Sequence, residues 1–317
     1  MRVLFWGTPE FAASPLRALI GEGFEVTGVV TQPDKPQGRS RTLTAPPVKQ
    51  IALDERIPVY QPPSPKDDEF GDAIRLMAPD ISVVVAYGHI LPRRIIELPR
   101  MGTLNIHASL LPQLRGAAPI QAAIRQGFTE TGVTIMRMVQ ALDAGPVILP
   151  AAIPILEDET YGELQNRLSE LGALTLLEAL ALLELGVVVE QPQDDSRATF
   201  APKVTRDDSR VDWSLSAGEV ARTIRAYDPK PGAFTSLNGS DVKLFGPRVV
   251  ALGQIPEQRD PQPGNVVSAS DGLVVMCADT AVRVQEVQPS GKGRMKSIDW
   301  ARGRGFAVGD RCGALPL

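Results

Sequence analysis

The chain has 317 residues, 43% of them apolar, and carries 33 Lys and Arg against 37 Asp and Glu for a formal net charge of −4. That length and apolar content suffice for two domains and a sizeable core in the first. No apolar run free of charge approaches the roughly 18 residues that a membrane-crossing helix needs. Residues 1–6 lead straight into a Gly7-Thr8-Pro9 turn instead of a cleavable leader, so a cytoplasmic globular protein without membrane attachment is expected. Cys277 and Cys312 are too few, and too far from either histidine, for a zinc site; two reduced thiols and no metal are expected.

In chain order, residues 2–6 read as a buried strand, 11–22 as a helix and 25–31 as a second strand, which is a βαβ opening. Gly7-Thr8-Pro9 follows the first strand, but neither a Gly-x-Gly-x-x-Gly fingerprint nor a Walker lysine is present, so dinucleotide and nucleoside triphosphate sites are disfavoured. Residues 32–47 hold few core-forming side chains and carry Lys35, Arg39 and Arg41, which predicts a mobile surface loop of the kind that serves as a lid or binding loop. Strands follow at 58–60, 81–87 and 101–106, with helices at 66–77 and 120–126. Alternation of this kind, with β-branched runs such as Val83-Val84-Val85, predicts an α/β domain on a mostly parallel, Rossmann-like sheet. Two further strands at 131–139 and 147–155 flank Asp143. A helix at 160–185 then closes a first domain of residues 1–188, with Leu164, Leu168, Leu171 and Leu174 read as core.

Residues 189–208 are polar and lack periodicity, which reads as a linker. Residues 209–317 open with a helix at 216–227 and continue as short strands between turns at Asn238-Gly239, Gly246-Pro247, Pro263-Gly264 and Asp271-Gly272, the spacing of a small β-barrel or sandwich. From residue 206 onward the chain has 15 Lys and Arg against 13 Asp and Glu, so the excess of acid lies before it. The sharpest basic cluster is Lys292, Arg294 and Lys296, with Arg302 and Arg304 close behind. Such a run is commonly a solvated face, but local sign governs phosphate attraction because salt screens charge within about 8–10 Å.

One of the two histidines carries the chemical signal. Asn105 and His107 lie two apart at the end of a strand-like stretch, so their side chains leave the same face. An amide donor and an imidazole converging on one point suit acyl transfer, in which the carbonyl oxygen becomes an oxyanion as an amine attacks. Asp143, 36 residues beyond His107 in Leu142-Asp143-Ala144-Gly145, offers a carboxylate to orient the ring and carry a proton. By itself an Asn-x-His triplet is more often a structural pair.

The longer run narrows the choice. Asn105 to Pro112, then Arg115-Gly116-Ala117-Ala118-Pro119-Ile120, Thr131-Gly132-Val133-Thr134-Ile135-Met136 and Leu142-Asp143-Ala144-Gly145 resemble the folate-dependent formyltransferases. Gly7-Thr8-Pro9-Glu10-Phe11, Thr31-Gln32-Pro33-Asp34-Lys35-Pro36, Pro47-Val48-Lys49, Val85-Ala86-Tyr87-Gly88 and Asp212-Trp213-Ser214 fit the branch that formylates a tRNA. The resemblance spans nearly the whole chain. It implies 10-formyltetrahydrofolate as donor, methionyl initiator tRNA as acceptor, and a second domain of the oligonucleotide-binding barrel type. It assigns catalysis to Asn105, His107 and Asp143, and the folate pocket to Ser109, Leu110, Leu111 and Pro112 with Tyr87, Gly88 and Ile90. It gives tRNA contact to Arg39 and Arg41 in the 32–47 loop, and the basic cluster Lys292, Arg294 and Lys296 is read with them. His89 and Gln113-Leu114 depart from the family's usual residues, and His89 reads as an ordinary loop histidine. A monomer is expected. Two alternatives stay open: formyl transfer to an amino sugar nucleotide or ribonucleotide amine, and a non-catalytic protein that binds folate or RNA.

Overall fold

The computed structural model describes residues 1–37, 42–254 and 261–313. Its first unit comprises Met1–Pro119, Glu130–Pro154 and Gln165–Ala201. The sheet there runs through β1 (Arg2–Gly7), β2 (Glu25–Val30), β5 (Val59–Tyr60), β6 (Ile81–Val85), β7 (Thr103–His107), β8 (Glu130–Arg137) and β9 (Val147–Pro154), in the order β5-β2-β1-β6-β7-β8-β9. The first five strands pair in parallel, and β8 and β9 add antiparallel to β7 and to each other. The expected Rossmann-like sheet is present.

Burial shows why the strands read as they do. Leu4 and Trp6 of β1 pack with Val30 and Val84 against Phe70 and Ile74 of α3 (Asp68–Met77) and Ile95 of α4 (Arg93–Ile96). Val3 and Phe5 alternate to the other face and are equally buried, as a sheet covered on both sides requires. Helices α1 (Ala13–Gly21) and α2 (Pro47–Asp54) flank this opening, and the long α6 (Tyr161–Glu184) passes close over the sheet. A Cβ on Gly172 of α6 would stand 3.0 Å from the Ile106 side chain, so the helix backbone at Gly172 packs directly on a side chain of β7, the strand that carries the candidate catalytic pair. Leu164, Leu168, Leu176 and Leu180 are fully buried, but Leu174 is exposed: it falls off the buried stripe that those four trace at helical spacing.

The 32–47 segment holds a short hairpin among its described residues. Within it β3 (Lys35–Gln37) pairs antiparallel with β4 (Thr42–Thr44), and the base is tied by Lys49 Nζ, which donates to both oxygens of Asp34 at 2.8 Å and to Gln61 at 2.9 Å. Arg39 and Arg41 fall outside the described residues.

The second unit comprises Ile120–Thr129, Ile155–Leu164 and Pro202–Leu317, so it takes in α5 (Pro119–Gln126) from its second residue onward, a helix that chain order alone places in the first domain. Helix α7 (Ala217–Ala226) begins at a capping box in which Ser216 and Glu219 exchange hydrogen bonds, and it buries Val220 and Ile224. Strands β10 (Phe234–Leu237), β11 (Ser240–Val250), β12 (Val266–Ser268), β13 (Leu273–Met276), β14 (Ala281–Pro289) and β15 (Met295–Lys296) form an antiparallel sheet in the order β10-β11-β14-β13-β12, with β15 on β14. Residues 310–313 link its two edges: Val266 donates to the Asp310 carbonyl and Cys312 to that of Gly264, while Gly313 donates to Ser236 of β10. This closure gives the expected barrel-like form. The Asn238-Gly239 turn holds both residues at positive φ (50° and 75°), the geometry that joins two strands by a two-residue loop. Gly246-Pro247, by contrast, lies inside β11 and separates nothing. Helix α8 (Ser297–Arg302) follows β15.

Cys277 and Cys312 are free and buried in this unit's core, and burial pushes both thiols up to about 12. In the unfolded chain they ionise first, so the stability gained by keeping them neutral is fully present below their ordinary value of 9.0 and is lost as pH rises towards about 12. A lower urea midpoint is expected at about pH 10.5 than at about pH 8, and a thiol reagent at about pH 8 should reach neither cysteine until the chain unfolds. Full labelling of native protein at the lower pH would contradict the burial.

Candidate active site

β7 ends on His107 and carries Asn105 two residues earlier, so alternation directs both side chains to one face at the carboxyl end of the strand. This is the edge at which open α/β sheets bind ligands. Asn105 is half-buried, and its carboxamide has no hydrogen-bond partner among the described residues.

His107 is buried, and its Nε2 lies 3.0 Å from the carbonyl oxygen of Leu114. A carbonyl only accepts, so Nε2 carries the hydrogen and Nδ1 is the ring's free atom. Nδ1 stands 3.7 Å from Asp143 Oδ2. That gap is too long for a hydrogen bond and too short to hold a water, so the two form an ionic contact, strongest once the ring is protonated. Asp143 Oδ2 accepts instead from the Gly116 amide at 2.8 Å, and Oδ1 has no partner among the described residues. The orienting role expected of Asp143 alone is thus divided: Leu114 holds the ring and Asp143 supplies charge.

Both loops are fixed by residues that read as linker in the sequence. Leu114 and Asp143 have left-handed backbones, at φ 57° and 49°, which few side chains adopt without outside support. Thr199 Oγ1 accepts from the Leu114 amide at 2.9 Å, the Thr199 carbonyl accepts from Arg115 N at 2.9 Å, and Ala201 N donates to the Arg115 carbonyl at 2.8 Å. Arg115, 5% exposed, donates to Gln193 Oε1 at 2.8 and 3.1 Å and to Asp195 at 2.7 Å. Gln193 Nε2 in turn donates to the Asp143 carbonyl at 2.8 Å and the Gly145 carbonyl at 2.7 Å. Residues 191–201 are therefore a strap bound into the first unit.

The other candidates divide. Leu110, Leu111 and Pro112 are half-buried, while Ser109 is buried and spends its hydroxyl on the Gln113 carbonyl at 2.6 Å. Thr134 Oγ1 pins the run from β8, donating to the Ser109 carbonyl at 2.7 Å and accepting from Leu111 N at 3.1 Å. Gly88 (φ 90°) and Ile90 are exposed. Tyr87 is 2% exposed, with its ring edge-on to Trp6 at 5.2 Å, and burial pushes its phenol up to about 12. Its ring supports the 86–90 turn from the core and offers no open face; its carbonyl accepts from Thr8 and Gln32.

In the second unit, Lys292, Arg294 and Lys296 are all exposed, and Arg294 is in addition paired within the unit. It bonds Asp228 at 2.9 Å and Glu286 at 2.6 Å, and lies 4.0 Å from the centre of the Phe245 ring. Burial pushes the Asp228 carboxyl up, and Arg294 opposes that shift. Removing Arg294 would strand a buried carboxylate, so its first role is structural. Among the described residues no group of three His, Cys, Asp or Glu side chains is arranged to hold a metal, and no helix is long and apolar enough to cross a membrane.

Comparison with known proteins gives the family. Residues 1–180 match the family described as formyl transferase, and residues 203–305 match the formyl transferase C-terminal domain. The chain is 45% identical over 313 residues to the methionyl-tRNA formyltransferase of Aromatoleum aromaticum, covering 98% of this chain and 96% of that one. It is 42% identical over 314 residues to the methionyl-tRNA formyltransferase of Bacillus licheniformis, covering 98% of each. Its fold matches HypX from Aquifex aeolicus, solved with tetrahydrofolic acid, at a TM-score of 0.67 and 22% identity, over 96% of this chain and 47% of HypX.

Proposed function

This chain belongs to the formyl transferase family, and from that membership we propose that it transfers the formyl group of 10-formyltetrahydrofolate to the α-amine of methionine on initiator tRNA. The observation that carries the chemistry is the meeting of His107 and Asp143, 3.7 Å apart, beside Asn105 at the end of β7. The acceptor is supported by near-full-length identity to two methionyl-tRNA formyltransferases.

The neutral amine attacks the formyl carbon, and the carbonyl oxygen takes on negative charge. Asn105 donates to that oxygen from its side-chain amide. With Nε2–H held by Leu114, His107 meets the reaction through Nδ1, where a protonated ring donates to the oxyanion and a neutral one takes a proton from the amine. Asp143 steadies the positive ring, and its free Oδ1 passes the proton towards the leaving nitrogen, through water where the distance requires it. Residues 109–112 with Gly88 and Ile90 border the folate. Lys292 and Lys296, with Arg39 and Arg41 outside the described residues, supply cations for the tRNA phosphates. All three reacting groups come from one unit of one chain, so the reading needs only a monomer, working in the cytoplasm.

The test offers 10-formyltetrahydrofolate with charged initiator tRNA, an amino sugar nucleotide or a ribonucleotide amine. Formylation of the charged tRNA, at a kcat/KM at least a hundredfold above either small amine, is the expected result. Preference for a small amine would replace the acceptor, and no transfer to any of them would leave a binding protein.

A further inference from the structure

The strap at 191–201 lies between the two stretches that match the family, and the reaction described above gives it no part. Its one side chain that touches both catalytic loops is Gln193. The carboxamide is used at both ends: Oε1 accepts from Nε and Nη2 of Arg115, and Nε2 donates to the carbonyls of Asp143 and Gly145. Arg115 follows Leu114, whose carbonyl sets the His107 ring. One amide therefore joins the loop that orients the imidazole to the loop that carries the carboxylate.

We infer that Gln193 is a positioning residue for the formyl-transfer site: by bonding the Asp143 and Gly145 carbonyls through its amide nitrogen and Arg115 through its amide oxygen, it fixes the spacing between the His107 ring and the Asp143 carboxylate. The chemistry requires an amide here. A carboxylate keeps the acceptor for Arg115 but cannot donate, and it would face two carbonyl oxygens with charge. An apolar side chain keeps neither bond. Asp143 has reason to need the clamp, since its left-handed backbone is held by only a few bonds, and a shift of about 1 Å at a reacting group costs roughly a hundredfold in rate.

The inference rests on the proposed formyl transfer, and two measurements keep them separable. Gln193→Ala and Gln193→Glu are each expected to lower kcat by roughly tenfold to a hundredfold, with KM for the folate and for the charged tRNA within about twofold of the unchanged protein. Gln193→Glu should lower Tm less than Gln193→Ala does, because its partner Arg115 stays paired. A strap that only holds the fold together would move Tm and the folded fraction and leave the kcat of folded enzyme alone. The second measurement needs no substrate: hydrogen exchange at the Gly116 amide, which donates to Asp143 Oδ2, should quicken in both variants while the amides of β1 and β6 keep their rates. Unchanged exchange at Gly116 in both variants, or a kcat loss that vanishes once rates are referred to folded protein, overturns the inference. If the unchanged protein formylates nothing, the proposed function fails and the exchange result still decides the role of Gln193.

Discussion

His107→Ala is expected to lower kcat about a thousandfold while the protein stays folded. On the proposed mechanism the ring both moves a proton and meets the oxyanion, through an Nδ1 that stands open beside Asp143 while Leu114 holds Nε2–H. Alanine removes both functions and leaves the Leu114 carbonyl without its donor, a cost of about 1–3 kcal/mol. A domain with the usual reserve of about 5–15 kcal/mol withstands that. Asp143→Asn should be nearly as damaging to turnover: the amide keeps the side chain's shape and can still accept from Gly116, but it neither steadies a positive ring nor takes a proton. The two groups act as a unit, so the double variant should be little slower than the worse single one. Turnover of folded His107→Ala within a few-fold of the unchanged enzyme would remove the histidine from the mechanism.

The shared face of Asn105 and His107 was legible in the sequence because it obeys a local rule. Alternation along a strand puts Asn105 and His107 on one face wherever that strand lies, and the buried run of residues 3–6 announces a sheet covered on both sides. The strap was not legible, for a physical reason. Gln193, Thr199 and Ala201 hold their partners through backbone groups, one hydroxyl and a single amide, and such bonds leave no apolar period in a sequence. Polar composition with no pattern reads as linker whether the segment is free or stitched down at several points. The same limit hid the Leu114 carbonyl, since an acceptor common to all residues has no signature. The ion pairs of Arg294 were hidden for another reason: a basic run reports charge, whereas pairing with Asp228, 66 residues earlier, depends on the closed sheet of the second unit. Leu174 shows the converse, an apolar residue on the outer side of a helix whose buried stripe its neighbours fill.

Gly145→Ala is expected to cost about a hundredfold in kcat together with roughly 1–3 kcal/mol of stability, although it adds a single methyl group two residues from Asp143. Gly145 is buried where the Asp143 loop returns across the end of β8, and a Cβ there would overlap the Arg137 carbonyl oxygen. Neither side can yield cheaply: Arg137 donates its amide to the Pro146 carbonyl at 2.9 Å, and Gly145's own carbonyl accepts from Gln193 at 2.7 Å. Relief comes only by lifting residues 143–145, which breaks the Gln193 clamp and carries the carboxylate away from His107. Substrate binding should change less than turnover, because the displaced group enters after the amine has begun its attack. Gly21→Ala is the matched control: it ends α1 with open space where the added methyl would stand and no positive φ, so Tm and kcat should both hold. If Gly145→Ala instead kept kcat within about threefold, the loop would have more freedom than its contacts allow, and the spacing between His107 and Asp143 could not be what sets the rate.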